Sequence, residues 1–308
     1  MFLVAGEALI DLVPRPSGPS EEGPLAPLVP CPGGGPYNTA VALGRLGDEV
    51  AFCSRLSTDG FGTALLEGLR TAGVGTAPVQ RGPEPTTLAV ATLTASGSAG
   101  YSFYAEGTAD RLFTVPQTLP EGVRAICFGT CSLVLEPGAS AYEELLRQQS
   151  RAGVFTLLDP NIRAGLIADP DAYRARFLDW LPNVDLLKLS EEDAAWLGDD
   201  VAGWAAAGPA AVVITRGGEG LHVSTRKGER FSVPGVPVDV VDTIGAGDTV
   251  NAALLHRLAA LGALRGDAVA GLGEEGWRDV LGFAARAAAL TCSRAGAQPP
   301  YARELGLY

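Results

Sequence analysis

The sequence is short of positive charge and nearly without lysine. Its 308 residues carry 23 Lys+Arg against 35 Asp+Glu, a net charge of −12 and a pI near 4.7. Among the basic residues only Lys188 and Lys227 are lysines. A protein that neutralises many phosphates presents a basic face, so this balance argues against nucleic acid while leaving room for one small anion. Imidazole is scarce as well: His222 and His256 are the two histidines. The five cysteines, at 31, 53, 127, 131 and 292, form no Cys-x-x-Cys pair, which sets aside a structural zinc centre and a disulfide scaffold. No run of 18 apolar residues escapes a charge or a Gly/Pro break, and the start, from Met1 to Glu7, lacks a basic leader. The expectation is a soluble, cytoplasmic chain.

Apolar residues are plentiful, at 47%, with 40 Gly, 22 Pro and a mean hydropathy of +0.18. That composition excludes disorder, and a chain of this length buries about three-quarters of its unfolded surface. From about residue 120 onward, short apolar runs at Ala125–Gly129, Phe155–Asp159, 186–189 and Ala211–Thr215 read as buried strands. The intervening stretches 141–152, 170–181 and Glu191–Leu197 read as helices, as do 249–264 and 277–292. Alternation of this kind predicts βαβ units and a parallel sheet covered on both faces. Residues 12–32 are too rich in Pro and Gly for helix. Residues 86–105 carry β-branched and aromatic runs around a Ser/Gly turn. These two segments read either as a small antiparallel flap inserted into the α/β body or as surface loops and an edge hairpin.

Two glycine-rich turns carry the chemistry. In the first, a β-branched stretch at 238–241 runs into Asp242-Thr243-Ile244-Gly245-Ala246-Gly247-Asp248 and then a helix. Unpaired amides at a helix start make an anion site, and glycines let a ligand come close. An acid at Asp248 is out of place for holding phosphate but suits a base that takes a proton beside it; a plain helix cap accounts for it equally. In the second, Gly33-Gly34-Gly35-Pro36-Tyr37-Asn38 opens a helix that ends at Gly47, and Asn38 both donates and accepts, as a polyol requires. No P-loop surrounds either lysine, and the G-x-G-x-x-G pattern at 271–276 is acidic and follows a helix, so it reads as an interhelical loop rather than a dinucleotide site.

Residues 33–38 together with 242–255 resemble the paired signatures of the ribokinase-like (phosphofructokinase-B) carbohydrate kinases, in the same order and at a similar separation. The resemblance extends over nearly the whole chain. It implies a single three-layer α/β/α sandwich over residues 1–308 with a mostly parallel sheet and a β-flap lid, ATP as phosphoryl donor, and Mg²⁺. Carried over by position, it makes Asp248 the general base and Gly245, Ala246 and Gly247 the anion hole. Asp11, Gly34, Gly35 and Asn38 become sugar contacts, and Thr215, Gly217 and Gly220 the nucleotide loop. Lys188 and Ser190 fall on the nucleotide side, and Asp193 stands where the family often has a Glu that reaches the metal through water. The same letters, Ser190-Glu191-Glu192-Asp193, would also serve an acidic helix start, and Glu191 or Glu192 competes for the metal role. The resemblance further implies a monovalent cation such as K⁺ at Asp242 near Gly296, and a homodimer through the lid.

Asp159-Pro160-Asn161-Ile162-Arg163 ends a strand, where ligands gather in open α/β sheets. Arg163 suits a phosphate or carboxylate, or a surface ion pair. The run resembles fructokinases, with a close variant in 2-keto-3-deoxygluconate kinases. The flap sequence from Phe103 to Asp110 is similar to the fructokinase pattern and brings Tyr104 to the substrate; keto-deoxygluconate kinases carry an Arg at the position of Ala105. With Glu106 beside it, this chain is expected to reject an acid sugar. The expected activity is phosphorylation of fructose on a primary hydroxyl. An aminoimidazole riboside or other nucleoside is the rival substrate, and a non-catalytic sugar-binding regulator the rival of another class.

Overall fold

Continuous apolar runs along the central strands dictate a sheet with two covered faces, and the computed structural model shows one. It describes residues 1–14, 27–93 and 99–307; the middle of the expected 12–32 segment and the Ser/Gly turn of the 86–105 hairpin lie outside them. The strands in chain order are β1 (Phe2–Ala5), β2 (Leu9–Pro14), β3 (Leu28–Gly33), β4 (Val50–Ser57), β5 (Val79–Gly82), β6 (Leu88–Leu93), β7 (Ala99–Tyr104), β8 (Ala125–Gly129), β9 (Phe155–Asp159), β10 (Leu186–Ser190), β11 (Ala211–Thr215), β12 (Leu221–Thr225) and β13 (Arg230–Val233). Nine of them form one sheet in the order β13-β12-β11-β10-β9-β8-β1-β4-β5. Pairing is parallel from β5 to β11, and β12 and β13 close the edge antiparallel.

Phe2 and Val4 of β1 face one core and Leu3 and Ala5 the other, as a period of two requires. The first face is covered by α1 (Gly35–Arg45) and α2 (Gly60–Thr71), the second by α3 (Gly138–Arg151), α4 (Pro170–Trp180), α5 (Glu191–Leu197) and α6 (Val201–Ala207). Three C-terminal helices, α7 (Ala246–Ala260), α8 (Gly266–Ala270) and α9 (Glu274–Cys292), complete the first face. Trp277 on one side and Trp180 on the other are fully buried. This is the three-layer sandwich expected from the sequence.

From β1 the chain goes first to β4 and β5 on one side and later to β8 on the other. Strand order therefore reverses beside β1, and the crevice at the carboxyl ends of β1, β8, β9, β10 and β11 is where an open α/β sheet holds ligands. Four short strands, ordered β3-β2-β6-β7, form a second sheet over that crevice. This small sheet departs in one respect from the antiparallel flap expected from the sequence. It is not purely antiparallel, because β2 and β6 run parallel, Ile10 opposite Leu88, each being the inner strand of its own hairpin.

Two further expectations change. The β-branched stretch 238–241 forms no strand: Val240 and Val241 are 64% and 62% exposed. Pro234 and Pro237 supply no amide for a ladder, and the segment is tied down instead by Val241 and Asp242 N–H bonds to the Cys292 carbonyl. Helix α7 begins at Ala246 rather than 249, which places Asp248 inside its first turn.

Candidate active site

Helix α7 starts from Gly245, whose left-handed backbone (φ 76°) turns the chain into the helix with no side chain capping the first amides. The Ala246 amide leans to the Thr243 carbonyl at 3.2 Å, and the amides that follow it stand at the positive end of the helix. Asp248 is not their cap. Its Oδ2 accepts a hydrogen bond of 2.9 Å from Asn38 Nδ2 on α1, and its carbonyl accepts 3.3 Å from Thr39 Oγ1, so the two glycine-rich signatures meet across the first face. Asp248 is buried, and burial pushes its carboxyl up to about 7; the nearby Asp159 charge acts the same way, while Asn38, Lys188 and Arg163 oppose it. A carboxyl poised near neutrality is suited to accept a proton at the pH of the cell.

Around it lies a cavity of about 440 Å³ lined by Asp11, Gly34, Gly35, Asn38, Arg163, Gly245, Gly247 and Asp248. Gly35 is there because nothing larger fits: a Cβ would overlap Thr130 Oγ1 and lie 3.2 Å from Asp248 Oδ1 and 3.3 Å from Asn161 Nδ2. Burial lifts Asp11 to about 6 against the pull of Arg163. Burial also lifts Glu7 to about 7, its Oε2 accepting 2.9 Å from the Ser132 amide. Arg163 NH1 is held by Asn161 Oδ1 at 2.7 Å and by the Asn161 and Ile162 carbonyls.

A second cavity, of about 470 Å³, lies on the other side of the same turn. Thr215, Gly217 and Gly220 line it with Val236, Pro237, Val238, Val240, Ala285, Ala289 and Cys292, and it shares Thr243 and Gly247 with the first. One cavity is rich in hydrogen-bonding groups and suits a polyol. The other is mostly apolar and suits a planar base, and the amides of α7 stand where the two meet.

The model of the pfkB family carbohydrate kinases matches residues 1–303. The chain belongs to the pfkB family. Within it, a fructokinase of Rhizobium leguminosarum bv. trifolii is 40% identical over 287 residues, 91% of this chain and 86% of that protein. A Xylella fastidiosa fructokinase with bound ATP superposes with a TM-score of 0.88 at 28% identity, covering 99% of this chain and 96% of that one. A Vibrio cholerae fructokinase in a fructose-, ADP- and calcium-bound form gives 0.80 at 26% identity, covering 96% and 94%.

As a pfkB kinase, the chain brings Asp248, Gly245, Gly247, Asp11, Gly34, Gly35, Asn38 and Arg163 to one cavity, with Ala246 in the neighbouring one. Tyr104 is not among them, and this is a correction. It pairs with Leu88 and is 64% exposed on the far face of the lid, while Tyr101 and Phe103, of the opposite parity on β7, line the sugar side. The role given to Glu106 is corrected likewise: it is 97% exposed and paired with Arg111 at 2.9 Å, away from the cavity. Ser190 and Asp193 form a capping box on α5, and Asp193 Oδ1 also accepts 2.8 Å from the Ile162 amide, which ties the Arg163 loop down. Asp242 accepts 3.0 Å from Ile244 N and 2.9 Å from Gly296 N. Sequence reasoning missed Glu7, Thr130, Asn161, Tyr101 and Phe103. The alternation along β7 and the polar run at 159–163 held the signal for the last three; Glu7 reads in the sequence only as a break in an apolar strand.

Proposed function

We propose that this pfkB kinase transfers the γ-phosphoryl group of ATP to the primary hydroxyl of fructose, giving fructose 6-phosphate and ADP. One observation carries the reading: a buried carboxylate, Asp248, on the sugar side of a helix-start turn whose residues line both cavities. The sugar hydroxyl gives its proton to Asp248 as its oxygen bonds to phosphorus, and the bond from phosphorus to the bridging oxygen of ADP breaks. The amides of Gly245, Ala246 and Gly247, with Arg163, offset charge on the group in flight. Asp11, Asn38 and the Gly34 and Gly35 backbone position the sugar; Thr215, Gly217 and Gly220 serve the nucleotide from the second cavity, which Lys188 and Ser190 do not line. Intact base and turn argue against a purely regulatory binder.

Three carboxyls, Glu7, Asp11 and Asp248, line the sugar cavity against Arg163, which disfavours an acid sugar such as 2-keto-3-deoxygluconate. A riboside is the second reading, favoured by Tyr101 and Phe103, whose rings lie 6.3 Å apart on the lid and would cover a planar aglycone. Comparing kcat/KM for fructose, ribose, keto-deoxygluconate and aminoimidazole riboside tests this. Fructose should lead, and a riboside leading by more than tenfold overturns the assignment.

Mg²⁺ is proposed to enter with the nucleotide and neutralise phosphate charge. Among the described residues no cluster of three acidic, His or Cys side chains offers a ready-made metal site, as fits an ion held largely by phosphates and water. Asp193, both oxygens already bonded to backbone amides, would reach it through water; Glu191 instead leans to Arg216 at 3.3 Å. Asp242, between two loops, is proposed to hold K⁺. The described chain is proposed to act as one body with segments 12–32 and 86–105 as its lid. The outer face of the lid, where Leu28 is 42% and Tyr104 64% exposed, is proposed to pair with a second copy. No described helix is long and apolar enough to cross a membrane, and five free thiols support a reducing, cytoplasmic setting.

A further inference from the structure

Behind the anion-binding turn lies a second group of buried polar side chains, contributed by three different elements. Lys188 rises from β10, Asp159 from the end of β9, and Asn251 from α7, one turn beyond Asp248. Lys188 Nζ meets Asp159 Oδ2 at 2.9 Å, each side chain 4% exposed, and Asn251 Nδ2 donates to the same oxygen at 2.7 Å. The ammonium reaches the turn itself: a Cβ at Gly247 would lie 2.9 Å from Nζ. A side chain at 247 would therefore press on the ammonium.

Packing does not ask for this arrangement. The neighbouring core is Leu157, Leu186, Val213 and Val250, and replacing a whole buried ion pair by well-packed apolar side chains is often neutral or stabilising. Nor is the cluster saturated. Asp159 Oδ1 and Asn251 Oδ1 are buried without a protein partner, and an ammonium has three donors, of which Asp159 takes one. A dehydrated positive charge with spare donors, fixed under an anion site, acts on whatever anion arrives there.

We propose that Asp159 and Asn251 are positioning residues for phosphoryl transfer, together holding the Lys188 ammonium against the back of the Gly245, Ala246, Gly247 turn so that its charge bears on the transferring group. The inference rests on the kinase reading above. Asn251 fixes the Asp159 carboxylate, and the carboxylate fixes the lysine, which is thereby kept from collapsing onto Asp248. The charged and titratable groups facing this cluster are Cys127 on β8, Asp159 on β9, Asp193 on α5, Asp248 on α7 and Arg163 on the β9 loop. Replacing Asp159 by Asn removes a negative charge that opposes ionisation of Asp248, so the acid limb of the rate profile moves to lower pH.

The test uses the full chain with Asn251→Leu, which keeps the number of side-chain heavy atoms and loses the donor, and Asp159→Asn. For both, kcat should fall about 10–100-fold with KM for fructose within threefold of wild type, and KM for ATP should rise. The acid limb of kcat/KM should shift down in Asp159→Asn, and Asn251→Ser, which keeps a short donor, should recover part of kcat. A merely structural role would lower Tm and the active fraction while leaving both KM values and the pH limb in place. Folded Asn251→Leu with kcat within threefold of wild type, or folded Asp159→Asn with an unmoved acid limb, overturns the proposal. A wild-type chain with no sugar-dependent turnover overturns the kinase reading and this inference with it, a pattern distinct from an active wild type with unaffected variants.

Discussion

Replacing Asp248 by Asn separates the two things this carboxyl does. The amide oxygen of the substituted side chain can still accept from Asn38, and its shape is that of the acid, so the tie between α1 and α7 survives. What is lost is a base: general-base catalysis contributes about 10²–10⁴-fold, and kcat should fall by at least the lower figure. Stability moves the other way. Burial raises the folded carboxyl from 3.8 to about 7, so the folded chain keeps a proton that the unfolded chain has released. Stability present below pH 4 is therefore lost as pH rises through 7. At 1.36 kcal/mol per pH unit that loss is about 4 kcal/mol at pH 8 and about 2 kcal/mol at pH 5. The Asp248→Asn variant escapes it and should melt several degrees higher at pH 8, with less than half that gain at pH 5. A coupled ADP-release assay and thermal melts at both pH values measure the pair. Turnover within tenfold of wild type, or a lower Tm at pH 8, would refute the reasoning.

Other outcomes follow from the same geometry. In the wild type, kcat/KM should fall about tenfold per pH unit below about pH 7, as Asp248 takes up its proton; a profile flat to pH 5 contradicts this. Glu7→Gln should flatten the decline of Tm between pH 4.5 and 7, since burial raises Glu7 to about 7 as well, and an unchanged slope would count against that burial. Gly35→Ala, which drives a methyl into Thr130 beside Asp248, should cost roughly 10–100-fold in kcat/KM from about 1–3 kcal/mol of overpacking. Tyr104→Ala should leave KM for fructose within threefold, whereas Phe103→Ala should raise it about tenfold; steady-state kinetics on the pair check the face assignment.

The parallel sheet was legible because its strands are continuous apolar runs: β8, β9 and β11 fall where periodicity puts them. The two glycine-rich turns were legible as helix starts, although the sequence alone let Asp248 be either a base or a cap. What escaped depended on tertiary context. Val238 to Val241 look like a strand by composition, but Pro234 and Pro237 before them and the tie to Cys292 hold them off the sheet. Tyr104 lies on the opposite side of β7 from Tyr101 and Phe103, and that parity can be assigned only once the register against β6 is known. Glu7 and Thr130 lie just past the ends of β1 and β8, and only the reversal of strand order brings them to one crevice. Asp193 could be read either as metal-facing or as a helix start, and its three hydrogen bonds, to Ile162 and Ser190, show how fully the helix uses it.

The central claim is that Asp248 and the α7 turn join a sugar cavity to a nucleotide cavity for transfer to a primary hydroxyl. The direct measurement is product analysis: the purified chain incubated with MgATP and fructose, with ADP quantified and the phosphorylated carbon assigned by ³¹P and ¹³C NMR. The account predicts one ADP per fructose 6-phosphate formed. ADP release independent of sugar, or phosphate on another carbon, would contradict it.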